Sequence, residues 1–131
     1  GCASNNDLDM FGEMRTAALL AKGVANDARA FDAAFALRAA TLNGARAIGL
    51  GEITGSIEAG KQADLVAVRL ADLETQPVYH ALSQLVYATG RHQVSDVWIG
   101  GVRKLQHGEL VGIDVASIRE KIAIWRGRIA S

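Results

Sequence analysis

The run Leu65-Val66-Ala67-Val68-Arg69-Leu70 constrains this chain more than any other feature. It opens directly behind Asp64 and a turn bracketed by Gly55 and Gly60. A near-continuous apolar stretch of this length predicts a strand covered on both faces. Such a strand needs neighbours beside it and a layer above and below, and the rest of the chain offers few. Val94 to Ile99 reads as a second strand, Gly100-Gly101 as a two-residue hairpin turn, and Val102 to Gln106 as the returning strand. His107-Gly108 turns again before a short edge at Leu110-Val111. A few short strands make a weak unit unless something covers them. The mismatch predicts that other sequence normally completes the sheet.

Helices dominate the first part. Ser4, Asn5, Asn6 and Asp7 form a cluster of N-cap residues ahead of a helix over Leu8 to Val24. Leu8, Phe11, Met14, Ala18 and Ala21 recur at helical spacing, and Met10, Ala17, Leu20 and Val24 fill a neighbouring stripe. So wide an apolar arc predicts packing over much of the circumference, with Asp9, Glu13 and Thr16 as a narrow polar edge. A second helix is expected from Ala33 to about Thr41, capped by Asp32, with Phe31 stapled against its first turn. Asn43-Gly44 is expected to interrupt it. Asn43 then caps a short helix over Ala45 to Ile48 that ends at Gly49 and Gly51. Pro77 marks a loop, and Tyr79 to Thr89 reads as a short helix. Asp114 caps a final amphipathic helix, with Val115, Ile118, Ile122, Trp125 and Ile129 on one face. The simplest expectation packs Ile118, Ile122 and Trp125 on the chain's own sheet. The alternative is a subunit contact.

The 131 residues suffice for one ordinary domain, and 50% apolar with 21% charged residues suits a globular fold. Fourteen Lys and Arg balance fourteen Asp and Glu. No basic excess exists to hold phosphates, which argues against a nucleic acid partner. No apolar run approaches the roughly 20 residues of a membrane span, so no membrane partner is expected. The lone Cys2 cannot form an internal disulfide and fits a reducing, cytoplasmic setting. Gly1-Cys2-Ala3 is neither an initiator Met nor a targeting pattern, so the chain is expected to be a piece of something longer.

The residues offer little reactive chemistry. His80, His92 and His107 are the only histidines, and their spacings of 12 and 15 match no familiar ligand pair. All three read as surface or capping residues. Asp9 and Glu13 lie four apart on one helix face, which reads as a solvated edge. No nucleophile elbow is present. Gly60 and Lys61 read as a turn followed by a solvated charge, because no Gly-rich loop leads into a helix there. Cys2 reads as a small buried hydrophobe.

Three stretches carry a family resemblance. They are Ala3-Ser4-Asn5-Asn6-Asp7-Leu8-Asp9-Met10-Phe11-Gly12-Glu13-Met14-Arg15, Ala40-Thr41-Leu42-Asn43-Gly44-Ala45-Arg46-Ala47-Ile48-Gly49-Leu50, and the segment Gly55 to Val68. Val86-Tyr87-Ala88-Thr89-Gly90 and Val97-Trp98-Ile99-Gly100-Gly101 add support. The chain resembles the C-terminal portion of the amidohydrolase superfamily. More narrowly, it is similar to the 5-methylthioadenosine/S-adenosylhomocysteine deaminases and their chlorohydrolase-like relatives.

The resemblance implies an α+β fragment. Residues 1–50 would be the last helices of a metal-dependent TIM barrel. Residues 51–131 would be the C-terminal share of a small composite β-sandwich plus a final amphipathic helix. It implies a hydrolase acting on C–N bonds of a small nucleoside-type substrate through a metal-activated hydroxide. The divalent metal, zinc or iron, would belong to the full-length parent. Its ligands would lie upstream, the last being an Asp directly before the position of Gly1. The chain itself would then hold no catalytic residue and no metal ligand. Ser4, Asn5 and Asn6 would line the barrel mouth near the substrate, besides any capping role. Chlorohydrolase, guanine deaminase and cytosine deaminase are the alternatives within the superfamily, and a non-catalytic interaction module is the alternative outside it. Apolar helix faces left bare, together with zero net charge, predict a homo-oligomer.

Overall fold

The computed structural model describes residues 6–130. Helix α1 spans Met10–Ala25, and its cap is Asp9, whose Oδ1 accepts from the Phe11 N–H at 3.0 Å. This corrects the expected cap in the cluster before it. Ser4 and Asn5 lie outside the described residues, and Asp7 is engaged elsewhere, by the Arg91 guanidinium. Leu8 stays outside the helix and exposed. α1 buries only Met14 and Ala18, while Met10, Leu19, Leu20 and Val24 face outward. The wide apolar arc is therefore covered on one side only.

Helix α2 (Ala33–Arg38) starts where expected, with Asp32 Oδ1 accepting from the Phe35 N–H at 2.8 Å. Phe31 packs edge-on against Phe35 at 4.8 Å between ring centres. The expected break at Asn43-Gly44 is absent. A π-helical turn over Ala39–Asn43 carries the helix on into α3 (Gly44–Ala47). The Gly44 N–H reaches back to the Ala39 carbonyl, and Asn43 caps nothing with its side chain. Widening the turn by one residue absorbs a pair that would otherwise stop the helix. α3 ends in a Schellman arrangement, with Gly49 N–H donating to Arg46 O at 3.0 Å and Leu50 N–H to Ala45 O at 2.8 Å.

The loop after α3 folds back on these helices. Gly55 sits at φ +89, and a Cβ there would lie 2.7 Å from the Ala45 Cβ and 2.9 Å from the Leu42 Cα. Only glycine satisfies both the backbone angle and the close approach. Lys61 is not a solvated charge. Its side chain is 11% exposed, and Nζ donates to Gly51 O at 2.6 Å and Ser56 Oγ at 2.7 Å. The ammonium closes the loop from inside, because the loop turns carbonyl and hydroxyl oxygens toward it.

Four strands form one antiparallel sheet in chain order: β1 (Leu65–Val68), β2 (Val94–Ile99), β3 (Val102–Gln106) and β4 (Glu109–Leu110). Leu65 pairs with Trp98, Val66 with Val97, and Leu105 with both Val97 and Leu110. The two β hairpin turns fall at Gly100-Gly101 and His107-Gly108 as expected. β1 is the exception. It lies at the sheet edge rather than between neighbours, and Val66 is 58% exposed. Of its four residues Val66 alone is exposed, while Leu65, Ala67 and Val68 are half-buried.

Helix α4 (Ala81–Tyr87) lies between the first two strands in sequence. It packs on α1 and α2 around Met14, Ala18, Ala33, Ala36 and Val86. Alanines at the contact let the three axes approach closely. Helix α5 (Val115–Ile129) is capped by Asp114, which accepts from the Ser117 N–H at 3.1 Å. It buries no residue, and Ile118, Ile122 and Trp125 are all exposed. The expectation that they pack on the chain's own sheet is corrected: α5 makes no substantial contact with the strands among the described residues. No described helix is long and apolar enough to cross a membrane.

Candidate functional site

The segment leading into α1 carries the residues that the family resemblance implies on the substrate side, Ser4, Asn5 and Asn6. Of these, Asn6 is described, exposed in a bend. Ser4 and Asn5, like Cys2, lie outside the described residues. What the structure adds is how the segment is held. Asp7 pairs with the Arg91 guanidinium, and Asp9 is committed to the first turn of α1 through both its carboxylate and its carbonyl.

Arg91 belongs to a 3-10 turn (Arg91–Gln93) that is fixed from beneath. Gln93 is fully buried, and its Oε1 accepts from the Gly90 N–H at 2.9 Å. Its N–H donates to Gly90 O at 3.1 Å, and its carbonyl accepts from the Arg69 N–H at 2.9 Å, just beyond β1. The Gln93 Nε2 is buried and has no hydrogen-bond partner among the described residues. One turn into α1, Arg15 Nη2 donates to Thr89 O at 2.7 Å and Nε to Val86 O at 3.4 Å. These carbonyls follow or close α4, where a cation is favoured by the helix dipole. Thr89, also fully buried, donates its hydroxyl to Gln84 O at 3.0 Å. Gln84 in turn donates to Thr75 O at 2.6 Å. Polar residues thus lock the stretch 84–93 to α1 and to the start of the sheet.

Arg15, Arg91 and Gln93 were not singled out by the sequence. Arg15 left one trace, a cation beside Met14 and Ala18 on the face that packs. Arg91 left none, because its partner Asp7 is remote in the chain; Gln93 left none although it bonds Gly90 three positions away, because a glutamine in a turn gives no sign of burial.

The histidines scatter as their spacing suggests. His80 caps α4, its Nδ1 accepting from the Ser83 N–H at 3.2 Å. His92 Nε2 lies 3.2 Å from Glu74, whose carboxyl is held below the usual range by its own backbone N–H and then by His92. His107 occupies a hairpin turn. Among the described residues no three His, Cys, Asp or Glu side chains gather closely enough to hold a metal ion. The donors present therefore do not fit a catalytic metal. Of Asp9 and Glu13, Asp9 caps α1 through Oδ1, and Glu13 lies exposed in the first turn.

Asp64 has a structural task. Its Oδ2 accepts from Thr54 Oγ1 and its Oδ1 from the Gly100 N–H, each at 2.7 Å. The Gly100 N–H first and the Thr54 hydroxyl second lower its carboxyl below the ordinary value. Asp64 thus ties the loop to the β2–β3 hairpin.

With this geometry in place, comparison with known proteins is direct. The profile of the amidohydrolase family matches residues 1–104. Across all 131 residues the chain is 47% identical to a 5-methylthioadenosine/S-adenosylhomocysteine deaminase of Teredinibacter turnerae, spanning 30% of that protein's length. Among solved structures, an adenosine deaminase from Xanthomonas campestris with bound zinc superposes with a TM-score of 0.95. It is 65% identical over 99% of this chain and 30% of its own. The zinc-bound atrazine chlorohydrolase of Arthrobacter aurescens shares the fold, with a TM-score of 0.79 at 23% identity over 87% of this chain and 25% of its own. In sequence and in fold, the chain belongs to the amidohydrolase family.

Proposed function

We propose that this chain is the C-terminal part of a longer metal-dependent amidohydrolase that hydrolytically deaminates 5-methylthioadenosine and S-adenosylhomocysteine. Residues 1–50 are the last helices of its catalytic TIM barrel. Residues 51–131 are the C-terminal share of its composite β-sandwich, with α5 as the outer helix. The observation that carries this is the 47% identity along the whole chain to a deaminase of which it spans 30%. The likeness to an adenosine deaminase at 65% identity supports an adenosine-type substrate over a triazine. In this reading Ser4, Asn5 and Asn6 lie at the substrate side of the barrel. The divalent metal, zinc or iron, is held by residues outside those described, and the bound zinc of that neighbour supports a metal of this kind. The parent is cytoplasmic and homo-oligomeric.

The test is ammonia release by the full-length parent from 5-methylthioadenosine, S-adenosylhomocysteine and chlorinated triazines. Turnover of the two thioethers is expected. Dechlorination of triazines without ammonia release from either nucleoside would overturn the reading. The 131-residue chain by itself is expected to turn over nothing and to retain no stoichiometric zinc after dialysis.

A further inference from the structure

Val115, Ile118, Ile122, Trp125 and Ile129 follow one another along α5 at alternating steps of three and four residues, the spacing of a seam that packs lengthwise. All five are exposed. Ile122, Trp125 and Ile129 line a shallow apolar groove with Arg126 and Ala130. At about 3.6 residues per turn, Arg119 and Arg126 border one side of the stripe and Lys121 and Arg128 the other, while Glu120 lies opposite. Both rims are therefore basic. Two copies of α5 laid side by side, parallel or antiparallel, would set cation against cation at each rim, which disfavours self-pairing. Carboxylates flanking an apolar groove would instead meet a cation at every rim position.

A second observation says where that groove lies. α5 makes no substantial contact with another element among the described residues. Yet the solved adenosine deaminase reproduces 99% of this chain, α5 included, at a TM-score of 0.95, and this chain covers only 30% of that one. A helix that its own neighbours do not hold keeps such a place through contacts with the remaining sequence. A fluid lipid surface would meet the same charges but would not fix α5 against the sheet.

We propose that α5 docks through its Val115, Ile118, Ile122, Trp125 and Ile129 stripe onto an apolar groove rimmed by Asp and Glu in the upstream part of the same polypeptide. This rests on the reading of the chain as the C-terminal part of a longer protein. The stripe supplies the buried area, and the two basic rims select the partner and oppose a second copy of α5.

The experiment treats the full-length parent with a carbodiimide, which joins Lys121, the one lysine of α5, to a carboxylate in direct contact. Arg119→Lys and Arg126→Lys put an amine on the other rim. The expected product is a cross-link within one polypeptide, from α5 to an Asp or Glu upstream of the position of Gly1. Cross-links only to a second copy, or none from any of the three amines, would overturn the proposal. So would flotation with vesicles of equal parts phosphatidylcholine and phosphatidylglycerol in place of an upstream cross-link. Replacing Arg119, Lys121, Arg126 and Arg128 together by Glu is expected to speed amide exchange of α5 about tenfold or more, since four rim pairs become repulsive. The four Gln replacements, which keep the stripe and only neutralise the rims, are expected to speed it less. Unchanged protection of α5 in the Glu variant would also overturn the docking. The cross-link needs no turnover, so its absence and the absence of deaminase activity are separate results.

Discussion

At the scale of single residues, two charged side chains do work that the sequence disguised. Lys61 follows a glycine in a polar loop, which is the setting of a solvated cation. Its partners are a carbonyl ten residues earlier and a hydroxyl five earlier, and only the fold of the loop turns them inward. Hydrogen bonds to a charged group contribute about 1.5–3 kcal/mol. Lys61→Met is therefore expected to destabilise the chain by about 2 kcal/mol, read from urea midpoints at fixed protein concentration. Asp64 makes a pH-dependent contribution. Its folded-state pKa lies below the ordinary carboxylate value, so its stabilisation is fully present above that value. The contribution disappears as pH falls through the folded-state value. Asp64→Asn is expected to weaken the chain at pH 7, and the gap from wild type closes once acid has protonated Asp64 in both states. A gap that persists unchanged at low pH would mean that the carboxylate's charge is irrelevant.

At the scale of elements, what was legible in the sequence is what short-range chemistry decides. Asp32 and Asp114 cap the helices they precede, and Gly100-Gly101 turns the hairpin, because each acts within about four residues of itself. Gly49 ends α3 for the same reason. Features that depend on distant partners were harder to read. Asp7 pairs with Arg91 instead of capping α1; β1, with the composition of a central strand, lies at the edge of the described sheet, as expected if further sequence completes that sheet. The expected substrate-side stretch was legible only as a family resemblance, and the residues that tie the segment behind it, Arg15 and Arg91, act on partners more than seventy positions away. The junction of α1 and α4 should depend on Arg15 accordingly. Arg15→Met keeps the apolar stem but leaves Val86 O and Thr89 O without their cation. A loss of about 1.5–3 kcal/mol is expected. Faster amide exchange should be confined to the end of α4 and the following turn. A uniform rise across the sheet would argue instead that Arg15 is part of a global core.

At the scale of the whole molecule, the accessible surface is the deciding quantity. The chain exposes 9465 Å², whereas a compact monomer of 13.8 kDa exposes about 6,600 Å². The excess, about 2,800 Å², is more than one partner's share of most large permanent interfaces, about 1,000–2,500 Å². The buried apolar residues are mostly alanine, so the internal core is thin for what it must hold. The uncovered apolar surface is spread over several elements: Leu20 and Val24 on α1, Val66 on β1, and Ile122 and Trp125 on α5. These lie on different elements, so one two-fold contact between copies would leave part of the surface bare. The isolated 131-residue chain, with zero net charge to oppose contact, is therefore expected to assemble beyond a dimer. Sedimentation at tens of micromolar, a range chosen to be well above about 1 μM dissociation, should give masses that rise with concentration. Hydrophobic dye should bind, and charged substitutions at Leu20, Val66 and Ile122 together should reduce both effects more than any one alone. A clean monomer that binds no dye would show that the exposed apolar surface needs no cover, and the case for a larger parent would lose its physical support.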